Sequence, residues 1–153
     1  MHVEVENENV RKRGFGLQWH ITDKCDQRCK HCYIYTSSKQ NELCEMQIED
    51  AEYILQNYLT MCEMLDVLPY IFVTGGDPLL YDDIWCFLEM LHKHKIPFSI
   101  LGNPYHLSDT VCKKLKKLGC QKYQMSLDGL RETHDKIRKS GSYDCTLEKF
   151  LSI

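Results

Sequence analysis

A strand-type run, a turn carrying polar or glycine residues, and then a helical pattern recur along this chain, and that alternation limits the fold more than any other feature. The clearest case is residues 70–74 (YIFVT), a buried-type strand that runs into Gly75-Gly76-Asp77-Pro78. Residues 15–22 (FGLQWHIT) read as an earlier strand, 98–101 as a third and 123–127 as a fourth. Between them, Ile48, Ala51, Leu55, Tyr58, Cys62 and Leu65 recur at helical spacing over 46–65, and Pro69 stops that helix. Ile84, Leu88 and Leu91 share a face over 81–95, with Asp82 and Asp83 near the start and Lys93 and Lys95 near the end, as the helix dipole favours. Ser108 caps a third helix that turns Val111, Leu115 and Leu118 inward and ends at Gly119; Leu147, Phe150 and Leu151 mark another over 146–153. Four strand-helix units in succession predict an α/β fold with parallel strands and right-handed crossovers, as a barrel or an open sheet. In either, ligands collect at the C-terminal ends of the strands, so motifs that follow strands one, two and four converge on one rim.

Length and composition agree with one domain. A chain of 153 residues can bury a real core, and 43% hydrophobic with 27% charged residues is ordinary for a globular protein. With 19 basic against 22 acidic residues the net charge is −3, which supplies no field to attract nucleic acid or an anionic membrane. Apolar stretches are broken by charges too often to span a bilayer. Residues 1–14 mix Glu4, Glu6 and Glu8 with Arg11, Lys12 and Arg13 and lack the apolar core of a secretory signal, so they read as an N-terminal extension of a cytoplasmic protein. The compartment matters because the chain has nine cysteines. An odd count without a signal, with three thiols inside eight residues, fits reduced cysteines that include metal ligands rather than a disulfide framework.

Those three are Cys25, Cys29 and Cys32, in Cys25-Asp-Gln-Arg-Cys29-Lys-His-Cys32-Tyr33 just beyond the first strand. Three thiolates on a compact loop can coordinate three irons of a cubane and leave the fourth iron open for chemistry. The alternative is a structural zinc site with His20, His31 or Cys44 as fourth ligand, but structural zinc commonly joins two separated ligand pairs rather than one tight triplet. In Gly75-Gly76-Asp77-Pro78 the glycines let backbone approach a ligand closely and the carboxylate suits an ammonium group; by itself the segment also reads as a strand-to-helix turn. Ser126-Leu127-Asp128-Gly129, followed by His134-Asp135 and Arg138, is the third motif, where Asp128 is either functional or an organiser of the turn before Gly129.

Together these residues resemble the radical S-adenosylmethionine (SAM) superfamily, in which C-x3-C-x2-C follows the first strand and an aromatic residue such as Tyr33 often follows the last cysteine. The resemblance implies a [4Fe-4S] cluster on Cys25, Cys29 and Cys32, with SAM chelating the open iron and reductive cleavage yielding a 5′-deoxyadenosyl radical. Gly75, Gly76 and Asp77 resemble the family's glycine-glycine-glutamate motif, which receives the methionine amino group; here the acid is one methylene shorter. The Ser126 segment is similar to that of peptide-modifying members that often carry a SPASM or Twitch domain. It makes Ser126 a candidate partner of SAM, and Arg138 a candidate for its carboxylate or for positioning a peptide. Asn103 departs from the family's threonine-asparagine-glycine and is left out of the site.

The likeness extends from about Phe15 onward and implies an incomplete (β/α)6 partial barrel, a truncated core over 15–153 with about four units. An unpaired fourth strand would await a partner chain that completes the barrel. The expected activity is that of a radical SAM enzyme modifying a ribosomally made peptide through a thioether or other crosslink, with a ferredoxin or flavodoxin as electron donor. Two other readings stand beside it: a non-catalytic fragment that binds a cluster or SAM, and a sulfatase-maturase-like oxidation of Ser or Cys. Cys62, Cys86, Cys112 and Cys145 are expected to act as core packing, and Lys113, Lys114, Lys116 and Lys117 as a solvated helix face.

Overall fold

The computed structural model describes residues 12–36 and 43–152. Strands β1 (Gly14–His20), β2 (Leu68–Thr74), β3 (Phe98–Leu101) and β4 (Cys120–Gln124) form one sheet in the order β1-β2-β3-β4, every neighbouring pair parallel. The connections are helical: α1 (Tyr33–Thr36) and α2 (Ile48–Met64), then a 3-10 turn (Pro78–Leu80) with α3 (Ile84–Lys93), then α4 (Asp109–Lys117). Helices α5 (Arg131–Ile137) and α6 (Ser142–Ser152) follow β4. The expected α/β alternation with four parallel units is thus present. Of the expected 1–14 extension, residues 1–11 lie outside the described residues, and Gly14 already belongs to β1.

Helices α2, α3 and α4 turn most of the expected stripe inward, whereas the stripe expected from Leu147, Phe150 and Leu151 on α6 is corrected: Phe150 and Leu151 are exposed, and this helix buries the small polar Ser142 and Thr146 instead. Ala51, Leu55, Tyr58 and Cys62 of α2 and Ile84, Phe87, Leu88 and Leu91 of α3 are buried against Ile71, Val73, Phe98 and Ile100 of the central strands. Each such side chain contributes about 1.5–3 kcal/mol of hydrophobic stabilisation. Trp19 meets Phe87 edge-on with ring centroids 5.1 Å apart, which joins β1 to α3. The Tyr58 hydroxyl accepts from Tyr70 N (3.0 Å) and lies against Phe15 O, so one side chain pins the starts of β1 and β2 together. The Ser108 hydroxyl caps α4 by accepting from Val111 N, and Gly119, at a φ of +97°, ends that helix.

Two further expectations are corrected, and one helix was not expected. The fourth strand is displaced to Cys120–Gln124, because its partner β3 is only four residues long and pairing ends at Leu101 with Gln124; Ser126 and Leu127 therefore lie beyond the sheet. α5 is unheralded in the sequence, for its seven residues bury only His134 and present no apolar stripe. Of the four cysteines expected in the core, Cys62 is buried, Cys112 and Cys145 are half-buried, and Cys86 is exposed on the outer side of α3. The α4 lysines are exposed, as expected of a solvated face. No helix among the described residues is long and apolar enough to cross a membrane.

Candidate functional site

β1 and β2 end level, His20 paired with Thr74, and the two chains leave the sheet bonded to each other. Ile21 N donates to Thr74 O (3.0 Å), Gly76 N to Thr22 O (2.7 Å) and Asp77 N to Lys24 O (2.7 Å). This approach is what requires the glycines. A Cβ on Gly75 would lie 2.3 Å from Thr22 O, and one on Gly76 would lie 2.3 Å from Lys24 O. The glycine pair, expected to bring backbone close to a ligand, brings it first against the segment that leads into Cys25. On the other side Asp23 N donates to Cys44 O (2.9 Å), and Thr22 bridges Glu45.

From this anchor the chain turns through Cys25, Cys29 and Cys32. Cys32 N donates to Cys29 O (3.0 Å), Tyr35 N to Cys32 O (3.2 Å), and Arg28 takes a left-handed φ of +50°. The Tyr35 hydroxyl, 2.9 Å from Asp23 O and 3.2 Å from Cys25 O, holds the loop from within. All three thiols face a cavity of about 270 Å³ at the C-terminal rim of the sheet, whose wall also includes Gly75, Gly76, Asn103, Ser126 and Arg138. Burial pushes the Cys25 and Cys29 thiols up, and the Arg138 guanidinium partly offsets the effect at Cys29.

Asp77 lies behind that wall. Its side chain is fully buried, Oδ1 accepts from Leu79 N (3.2 Å), and Oδ2 has no hydrogen-bond partner among the described residues. Burial, with the like charge of Asp26 adding to it, pushes its carboxyl up to about 6. Ligand atoms of Asp26, Asp77 and His106 lie within 4.8 Å of one another, with His106 Nε2 3.2 Å from Asp26 Oδ2.

Arg138 enters the wall from the end of α5. Asp128 grips it with both oxygens, through Nε and through Nη2 (3.2 Å), while Nη1 lies 3.7 Å from Cys29 Sγ and 3.5 Å from Gln27 Oε1. The guanidinium in turn holds the Asp128 carboxyl below its usual range. His134 is buried and kept neutral, its pKa lowered first by desolvation and then by Arg138. Its Nδ1 accepts from Asp128 N (3.2 Å), which leaves Nε2 to donate to Ser142 Oγ (3.1 Å). Ser142 Oγ also accepts from Gln27 Nε2 (2.5 Å), and Lys30 N donates to Ile137 O (2.8 Å), so α5 and α6 are tied to the cysteine loop.

Seven of the eight residues singled out in the sequence therefore line one cavity, and Asp77 stands directly behind it. Asn103, left out earlier, belongs to the wall: it is buried, donates to Asp26 Oδ1 (3.0 Å) and lies 3.9 Å from Cys25 Sγ. Its position at the end of β3 after Gly102 was the available signal. Gln27 and Ser142 carried none, since nothing local announces a contact across 115 residues, and His134, although part of the third motif, gave no sign of its link to Ser142.

The family model of the radical SAM superfamily matches residues 19–151. Among characterised relatives, the Fe-coproporphyrin III synthase of Methanosarcina barkeri is 28% identical over 84% of this chain and 31% of its own length. The GTP 3′,8-cyclase of Nautilia profundicola is 33% identical over 72% of this chain and 34% of its own. The chain thus spans about a third of the length of these relatives. Among solved structures, Streptococcus suis SuiB bound to S-adenosylmethionine superposes with a TM-score of 0.64 at 19% identity, over 90% of this chain and 30% of SuiB. BtrN in complex with AdoMet and 2-DOIA gives 0.61 at 21%, over 78% and 48%. The four-stranded sheet is accordingly part of a radical SAM barrel, and the chain belongs to the radical SAM superfamily, whose members work with a [4Fe-4S] cluster and S-adenosylmethionine.

Proposed function

We propose that this chain forms the cluster-bearing part of a radical SAM enzyme that modifies a ribosomally made peptide. The observation that carries the first half of this reading is the gathering of Cys25, Cys29 and Cys32 with Gly75, Gly76, Ser126 and Arg138 on one cavity at the strand ends. The donor set fits a [4Fe-4S] cluster, because three thiols from one short loop leave a fourth coordination position outside the protein. The buried Asp77 carboxylate, whose Oδ2 has no hydrogen-bond partner among the described residues, puts a negative charge behind the Gly75-Gly76 wall, which suits the amino group of SAM on the cavity side. When bound, the cluster supplies the electron that cleaves SAM to a 5′-deoxyadenosyl radical.

The chain's own residues have separate tasks. Cys25, Cys29 and Cys32 ligate the cluster as thiolates, and Gly75 and Gly76 fix the loop that presents them. Asp77 attracts the methionine ammonium by its charge from behind the wall, and Ser126, beyond β4, offers a hydroxyl to the remainder of SAM. Tyr35 and Asn103 keep the loop from shifting beneath them.

A peptide substrate is supported by the Ser126-Leu127-Asp128-Gly129 segment and by the fold shared with SuiB, solved with its precursor peptide SuiA at a TM-score of 0.63. A small-molecule substrate is the second reading, favoured by relatives named for porphyrin and GTP chemistry. An external one-electron donor of the ferredoxin or flavodoxin kind completes the reaction. β4 is an edge strand among the described residues, where a further chain or segment can continue the barrel.

The decisive test is release of 5′-deoxyadenosine by anaerobically reconstituted protein given SAM and dithionite. Wild type is expected to release it, and Cys29→Ala to fall below a hundredth of that rate. Equal release from both proteins would refute the ligand assignment. A loaded cluster without any release would favour a binding fragment that needs its partner segment.

A further inference from the structure

The grip of Asp128 on Arg138 is one side of a closed ring of hydrogen bonds. From Arg138 it passes to Asp128, through Asp128 N to His134, through His134 to Ser142, through Ser142 to Gln27, and back from Gln27 Oε1 to Arg138 Nη1. Gln27, His134 and Ser142 are buried, and only 14% of the Arg138 side chain is exposed. So much buried polar structure immobilises one guanidinium, with two of its nitrogens on a carboxylate and the third 3.7 Å from Cys29 Sγ. A guanidinium gripped by a carboxylate is poorly placed to serve a second one, such as the methionine carboxylate. Its free edge meets the Cys29 sulfur instead.

We infer that the Arg138–Asp128 pair sets the reduction potential of the cluster held by Cys25, Cys29 and Cys32, an inference that rests on the cluster proposed above. Reduction adds one electron, taken from an external one-electron donor, and neither breaks a bond nor requires a proton. The reduced site carries one more negative charge, spread over the irons and their sulfur ligands. Arg138 favours that state by its positive charge and by directing an N–H at Cys29 Sγ, the two levers by which protein groups tune such centres. Asp128 holds the guanidinium in place and tempers its field, because its own charge lies on another edge of the same group. Arg138 is therefore a positioning and tuning residue for electron entry, and Asp128 is its counterweight.

The test is a redox titration of the reconstituted chain without SAM, read by the electron paramagnetic resonance of the reduced cluster, with iron and sulfide content measured on the same samples. Arg138→Gln is expected to lower the ratio of reduced to oxidised cluster about tenfold at any fixed potential, equivalent to about 59 mV for one electron. Arg138→Lys, which keeps the charge, is expected to stay within about threefold of wild type, and Asp128→Asn to move the ratio upward. An Arg138→Gln protein with full iron content that titrates like wild type would overturn the inference. So would an Asp128→Asn protein that moves in the same direction as Arg138→Gln, because loosened packing, unlike charge, has no sign. If Arg138→Gln does not retain iron, the directions given by Asp128→Asn and Arg138→Lys decide. Wild-type protein that holds no cluster would instead refute the cluster assignment and remove the basis of this inference, an outcome the iron content identifies directly.

Discussion

Two walls of the same cavity are built on different principles. The wall at the ends of β1 and β2 is backbone on backbone: Thr22, Lys24, Gly76 and Asp77 exchange main-chain bonds, with glycines where a side chain would collide. The wall contributed by α5 is side chain on side chain, a ring through Gln27, Asp128, His134, Arg138 and Ser142. The first tolerates no added atom; the second is sensitive to the loss of one. Backbone construction fixes where the cysteines stand, and side-chain construction controls which charges they face.

The sharpest way to break the first wall is Gly76→Ala. Its Cβ would meet Lys24 O at 2.3 Å and Asp23 O at 2.7 Å, both main-chain atoms that cannot swing aside. The expected cost is about 3 kcal/mol or more in urea unfolding, with most of the iron-binding capacity lost; the same substitution at open Gly119 adds no clash, although its φ of +97° still strains alanine.

Next in size is Asp77. Its carboxyl, pushed up to about 6 by burial, holds a proton more tightly in the folded chain than in the unfolded one, where the pKa is about 4. The stability it contributes is full below about pH 4 and is lost as pH rises through about 6. Asp77→Asn should therefore stabilise the cofactor-free chain by about 2 kcal/mol at pH 7 and flatten its stability between those values, as read from urea midpoints. A profile unchanged by the substitution would place the buried charge elsewhere.

On the second wall, Ser142→Ala removes the oxygen that accepts from both Gln27 and His134. Two buried donors are then left unpaired, and the expected loss is about 2 kcal/mol, with cluster content retained. A loss as large as that of Gly76→Ala would mean that the two walls do not differ as described.

The same difference explains what could be read from the sequence. The cysteine triplet, the glycine pair and the strand-helix periodicity are local patterns, and they predicted the α/β fold and a close backbone approach at Gly75 and Gly76, although toward a ligand rather than toward the segment leading into Cys25. The ring was hidden, because Gln27 and Ser142 are 115 residues apart and nothing local marks either. α5 escaped notice for a related reason: it is fixed by His134 hydrogen bonds rather than by an apolar stripe. Asp77 was legible as a residue but not as an orphaned one, since the lack of a partner for Oδ2 is a property of the packed interior.

The sequential strand order has a consequence for the time course of assembly. Each strand pairs with the one made just before it, so the sheet can grow one unit at a time as the chain emerges. The cysteine loop cannot finish with it, because Lys30 and Gln27 find their partners at Ile137 and Ser142, beyond the fourth strand. Fold and site mature on different clocks: the sheet can grow unit by unit, and the loop is locked only after α5 and α6 have docked.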